Sequence, residues 1–162
     1  MMLLRAILTM AMLIGCQRPS VLPFQPGNGL PQSHGGPVTD HVSLVDNLRA
    51  DGYSVSPVQD LQQPFLHARG TLLRISGDDL SVPADVQSYN YDDRDLGTNG
   101  VAAAQADAAQ IQPDGQPKTA SVAWSGSPHF FYKERVIVIY LGTDAQLLSE
   151  LAHLLGPQFA GQ

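Results

Sequence analysis

The sequence predicts an α+β domain, an antiparallel sheet of about five strands with helices packed on one face, in the order α-β-β-β-α-β-β-α. Three observations lead there. Short runs rich in β-branched and aromatic residues are joined mostly by hairpin-length turns. The run Val136–Leu141 is apolar at every position, so both its faces are hydrophobic and it is placed centrally in the sheet. Behind it comes a leucine stripe at helical spacing.

Each element follows from local chemistry. Thr39 or Asp40 caps a first helix that carries Val42, Val45 and Leu48, with Leu44 beside them, and Asp51-Gly52 ends it. Tyr53 to Val58 is a short strand. Phe65–Ile75 and Leu80–Tyr91 are two strands joined at Ser76-Gly77-Asp78-Asp79, and Pro83 puts the second at an edge or breaks it in two. Asn99 or Thr98 opens an Ala-rich helix. Val101, Ala104, Ala108 and Ile111 form its narrow apolar face, and Pro113-Asp114-Gly115 stops it. Val122–Trp124 and His129–Tyr132 are strands interrupted by Ser125-Gly126-Ser127-Pro128, and Lys133-Glu134-Arg135 turns into the central strand. In the last helix Thr143 with Gln146 makes a capping box. Leu147, Leu148, Leu151, Leu154 and Leu155 form its stripe, and Gly156-Pro157 terminates it.

Upstream of this domain the texture is different. Arg5 precedes an apolar run from Ala6 to Leu13, Gly15 precedes Cys16, and the chain turns polar at Gln17-Arg18-Pro19. That is the layout of an export signal, and the apolar run is far shorter than the ~20 residues that cross a bilayer. The ending Leu13-Ile14-Gly15-Cys16 resembles the lipobox of bacterial lipoproteins. The resemblance implies cleavage before Cys16, diacylation of its thiol and acylation of the new N-terminus. Two or three acyl chains anchor firmly without help from basic residues. From Gln17 to Asp40 prolines alternate with glycines and no hydrophobic period survives, so the segment reads as a tether. The organisation is therefore a signal peptide at 1–15, a Pro/Gly-rich tether at 16–38 and one domain at 39–162.

Composition narrows the partners. The chain has 162 residues, 43% apolar and 15% charged, with a formal net charge of −6. Its few basic residues are scattered, and both nucleic acid and anionic lipid surfaces need them clustered. Once Cys16 is acylated no thiol remains for a disulfide, and the domain depends on its core.

Several segments could carry chemistry. Ser125, Ser127 and His129 point to one side on an extended chain, as a nucleophile and base would. No G-x-S-x-G elbow accompanies them, and a polar bulge between strands accounts for the same residues. Asp92-Asp93-Arg94-Asp95 gathers three carboxylates, but lacks the Gly and closing Glu of an EF-hand loop, and Arg94 opposes a cation. Their charge suits the start of the following helix instead. His34, His41, His67, His129 and His153 show no ligand spacing, and only His67 and His129 could meet across a sheet. No phosphate loop or dinucleotide fingerprint occurs, so neither a metal nor a cofactor is implied. Tyr89, Tyr91, Trp124, Phe130, Phe131, Tyr132 and Tyr140 cluster in strands. They either pack the core and rim or leave a patch on the uncovered face as a binding surface.

The stretch Phe131–Gly142, with the leucine helix and Gly156-Pro157-Gln158-Phe159-Ala160-Gly161 after it, resembles the ending of small bacterial lipoproteins with no assigned activity. That resemblance implies class and location and supplies no catalytic residue. The sequence thus leads to a lipid-anchored extracytoplasmic protein, a non-catalytic binding or interaction module with the membrane and an envelope protein as partners. A small hydrolase around Ser125–His129 and a purely structural envelope lipoprotein are the competing readings. Gln17 is not the acidic residue that retains some lipoproteins at the inner membrane, so inner and outer membrane both stay open.

Overall fold

The computed structural model describes residues 36–77 and 79–162. The lipobox Leu13 to Cys16, the tether to residue 35 with His34, and the turn residue Asp78 lie outside the described residues.

The domain is α+β, as the sequence predicts. Its elements are α1 (His41–Ala50), β1 (Ser54–Leu61), β2 (Gly70–Ser76), β3 (Ala84–Asn90), α2 (Asp93–Leu96), α3 (Gly100–Ala108), β4 (Pro128–Lys133), β5 (Val136–Leu141), α4 (Ala145–Leu155) and β6 (Ala160–Gly161). Six strands, rather than about five, pair antiparallel in the order β1-β2-β3-β5-β4-β6. The added strand is the two-residue β6, which follows α4 and pairs with His129 and Phe130.

Both faces of the sheet are covered. On one, α1 and α4 bury Leu44, Leu48, Leu147 and Leu151 against Val55, Ile75, Val86, Val136 and Val138. On the other, α3 and the β1–β2 connection bury Ala104, Phe65 and Leu66 against Tyr89, Phe130, Ile137 and Ile139. Two helices therefore share a face as expected, and the third lies opposite them. β5 explains why. All of its first five residues are buried, so each face needs a cover. The aromatic side chains of the second face are consumed by that packing. Phe65 meets Trp124 edge-on at 6.1 Å, and Trp124 meets Phe130 at 5.6 Å.

Several boundaries differ from the sequence reading, each for a physical reason. The body takes in Val38, which is buried in the α1/α4 core, and Gly36 accepts a hydrogen bond from Asn47. Asp40 caps α1 in a reciprocal box with Ser43, which leaves Val42 64% exposed and puts Leu44 in the core. Strand β2 begins at Gly70, not Phe65, because Phe65, Leu66 and Ala68 leave the sheet to pack on its second face. A side chain at Gly70 would run into the ring of Tyr89. Strand β3 begins just after Pro83, in the sheet's interior. Residues Val122 to Trp124 are irregular. The Gln116 amide accepts from the Val122 N–H at 3.1 Å and donates to its carbonyl at 3.2 Å, taking the place of a strand partner. Helix α4 is capped by Asp144, which accepts from the Leu147 N–H at 3.0 Å. A carboxylate cap also opposes the positive end of the helix, which the Thr143 hydroxyl would not.

The edge strand β1 carries its own protection. Its register slips between Pro57 and Gln59, and Pro57 has no N–H to offer a further strand. Across β2 and β3, Arg74 grips Asp85 with two bonds of 2.8 Å. At the turn into β5, Glu134 adopts a left-handed conformation at φ 48°.

The packing predicts two mutational outcomes. Leu151 is completely buried at the centre of the α4 stripe, so Leu151→Ala lowers unfolding free energy by ~2–5 kcal/mol. Asp144→Ala removes the cap and costs ~1 kcal/mol, while exposed Gln146→Ala changes stability by less than ~0.5 kcal/mol. Denaturant melts of the three variants check this ranking.

Acid sensitivity supplies a further prediction. His41 begins α1, donates its N–H to Asn90 Oδ1 at 3.1 Å, and sets its Nδ1 2.9 Å from the buried Ser88 hydroxyl. Burial holds the imidazole below its ordinary value of 6.5, against the pull of Asp40. The unfolded chain therefore binds this proton more readily, and stability is lost as pH falls below 6.5. Asp40 and Asp85 are lowered from 3.8 and lose their contribution only at more acid pH. Glu150 is raised from 4.5, mainly by burial, and acts with the opposite sign. Chemical melts between about pH 7.5 and about pH 5.5 should show a smaller stability loss in His41→Gln than in the wild type, because the other groups titrate in both.

Candidate functional site

The sheet's double cover directs attention to its rim, where the β1–β2 connection meets α3. Asp107 is the penultimate residue of α3 and is 2% exposed. Its carboxylate gathers three donors. Oδ1 accepts from His67 Nδ1 at 2.6 Å, and Oδ2 accepts from the His67 backbone N–H and the Tyr91 hydroxyl, both at 2.7 Å. A buried carboxylate at this end of a helix faces the negative end of the dipole, so these bonds have much to offset. Burial keeps the Tyr91 hydroxyl protonated far above the ordinary tyrosine value, an effect its bond to Asp107 strengthens. Tyr91 is thus a permanent donor to the carboxylate.

Local sequence builds this arrangement. Asn99 caps α3 by accepting from the Ala102 N–H, and Asp93 accepts from the Gly100 N–H at 2.7 Å. Gly100 must be glycine, because a Cβ there would collide with the Tyr91 carbonyl. That close approach presses the helix onto the segment that bears Tyr91. Across the gap, Phe65, Leu66 and Ala68 bury around His67 and leave its imidazole outside, with a side chain 80% exposed. The Asp107 bond occupies Nδ1 and leaves Nε2 facing outward. His67, Ala68, Arg69, Asn90, Asp95 and Leu96 line a cleft of about 400 Å³ beside it.

The other candidate residues are placed differently. His129 is 6% exposed, gives its Nδ1 to Gln158 Oε1 at 2.7 Å, and stacks on Tyr140 at 6.1 Å. Its Nε2 is buried without a partner among the described residues. Ser125 is exposed at the bend before β4, Ser127 is half-buried, and neither makes a side-chain hydrogen bond to another described residue. The imidazole and the two serines are therefore not assembled into a nucleophile–base pair. His67 and His129 do not meet, since each is held by a different side chain. Asp92 caps the four-residue helix α2, and Asp93 faces Arg135 at 3.5 Å as well as bonding Gly100. Among the described residues no group of three or more His, Cys, Asp or Glu side chains is placed to hold a metal ion. Cys16 lies outside the described residues.

A larger cleft, about 500 Å³, opens where Ser125, Pro83, Gln87, Tyr140 and Asp144 come together. Its polar groups serve the fold. Asp144 caps α4, Asp85 holds Arg74, and Gln87 accepts from Tyr89 at 2.7 Å.

Sequence reading missed Asp107. A signal was present: Asp107 falls three residues after Ala104, on the face assigned to small apolar side chains. An acid on a buried stripe needs dedicated partners.

The two halves of the cluster predict different stability effects. Asp107→Asn turns one acceptor into a donor facing other donors, which costs ~1–3 kcal/mol. His67→Gln changes a mostly exposed side chain and leaves the backbone bond to Asp107 in place, so its cost stays below ~1 kcal/mol. Thermal and denaturant melts of the two variants separate the supporting carboxylate from the exposed ring.

Set beside known proteins, the chain matches no family, no curated protein and no solved structure.

Proposed function

We propose that this chain is a lipid-anchored extracytoplasmic protein whose folded domain is a non-catalytic binding or interaction module. The anchor rests on the lipobox-like Leu13-Ile14-Gly15-Cys16 and the Pro/Gly-rich stretch behind it, which would hold a domain away from a bilayer. The observation that carries the binding role is the polar cleft beside His67, where an exposed imidazole is held from behind by a buried carboxylate. A side chain fixed by a buried charge yet open to solvent is arranged for contact with something outside the fold.

A hydrolase around Ser125–His129 draws less support. It needs a serine hydroxyl on the imidazole and a carboxylate behind it, whereas His129 faces Gln158 and Tyr140. A purely structural role would leave the oriented His67 ring without a purpose.

The anchor is tested in cells fed a clickable fatty acid. Wild-type protein takes up the label and partitions with membranes, while Cys16→Ser takes up none, since serine cannot form the thioether. Protease added outside the cytoplasmic membrane should remove the domain. Equal labelling of wild type and variant, or a domain protected inside the cytoplasm, overturns the reading.

A further inference from the structure

The cleft beside His67 is rich in unused donors. The Asn90 carbonyl oxygen is occupied by the His41 N–H, which leaves its Nδ2–H₂ group as the end available to a ligand. The Arg69 guanidinium bonds to no other described residue, and the same holds for His67 Nε2. By contrast, Arg74 is committed to Asp85 and Arg135 faces Asp93. The Arg69 guanidinium, the Asn90 amide group and the outward edge of the imidazole thus line one cleft of about 400 Å³, with no acceptor among the described residues claiming them there. Asp95 is the opposing charge on the lining, and it is exposed.

We propose that this cleft binds a small oxyanion group, a phosphate or carboxylate, between Arg69, Asn90 and His67. Arg69 supplies the planar fork that matches two oxygens of either group. Asn90 adds a neutral donor. His67 contributes through Nε2, which becomes a donor when the ring is protonated, and Asp107 behind it balances the imidazolium. Asp107 of α3 bonds that ring directly, and Arg69 and Asp95 line the same cleft. Tyr91 stays protonated and donates to the same carboxylate.

This inference rests on reading the chain as a binding module, and it names the ligand chemistry of that module. The test uses the full-length chain in detergent with inorganic phosphate or acetate as probe and chloride at matched ionic strength as control. The backbone amide resonances of Ala68 and Leu96, which line the cleft and are unchanged in every variant, are followed by NMR. The expected result is a saturable shift with at least one oxyanion. Saturation by phosphate alone assigns a phosphate-bearing ligand, and saturation by acetate alone assigns a carboxylate. Arg69→Gln and His67→Gln each weaken binding at least about tenfold, as loss of a charged hydrogen bond implies. Arg74→Gln leaves it unchanged. No saturable shift with either oxyanion, the same shift with chloride, or unchanged affinity in Arg69→Gln overturns the proposal. Fatty-acid labelling of Cys16 is read separately. A labelled protein without an oxyanion site loses this inference alone, and an unlabelled protein that binds oxyanions loses the anchor alone.

Discussion

A strand that is apolar on both sides cannot be satisfied by a one-sided fold, and β5 imposes that constraint on the rest of the domain. Val136 and Val138 face α1 and α4, while Ile137 and Ile139 face α3. With four helices, one of them a single turn, the domain has too few to cover both sides by helix alone. The β1–β2 connection therefore folds back over the second face, and Phe65 and Leu66 do there what a helix does elsewhere. Trp124 completes the cover, its indole N–H donating to the Gly115 carbonyl at 3.2 Å. Irregular backbone used as a core layer needs fixed points, and Gln116 and Asp107 supply two of them.

Asp107 joins the fold to the proposed function. Its bond to the His67 backbone N–H holds the covering loop in place, and its bond to the ring sets the outward nitrogen. The two purposes share one carboxylate. A hydrophobic side chain at position 107 could hold a loop by packing, but it could not orient an imidazole. A buried charge at the unfavourable end of a helix is thus retained where apolar packing would satisfy the fold alone.

What could be read from the sequence followed from patterns that are local. The leucine stripe of α4, the turn at Lys133-Glu134-Arg135 and the doubly apolar β5 were legible because period and turn chemistry report directly on burial. The start of β2 was not, because the apolar residues before Gly70 serve the opposite face without joining the sheet, and no period separates those roles. Val122 to Trp124 carries strand-like residues, yet the side-chain amide of Gln116, six positions before Val122, meets its backbone first. The site was hidden for the same reason. His67 and Asp107 lie 40 residues apart, and nothing within either segment names the other. Of the candidate residues singled out by type, His129 is consumed by packing, and His67 came to notice only as a member of a pair that does not form.

Under the proposed lipid anchor, the slipped register of β1 gains a further meaning. Proteins confined to a membrane meet in two dimensions, at local concentrations well above those of the same number free in a compartment. Under such crowding an open sheet edge is a template on which neighbours could add strand to strand. Pro57 interrupts the row of donors, and the unpaired residue at 58 twists the edge away from a straight partner. On the opposite side the edge strand β6 is two residues long, itself too short to seed pairing. On the proposed anchor, edges of this kind would let the domain stand close to its copies without strand adding to strand.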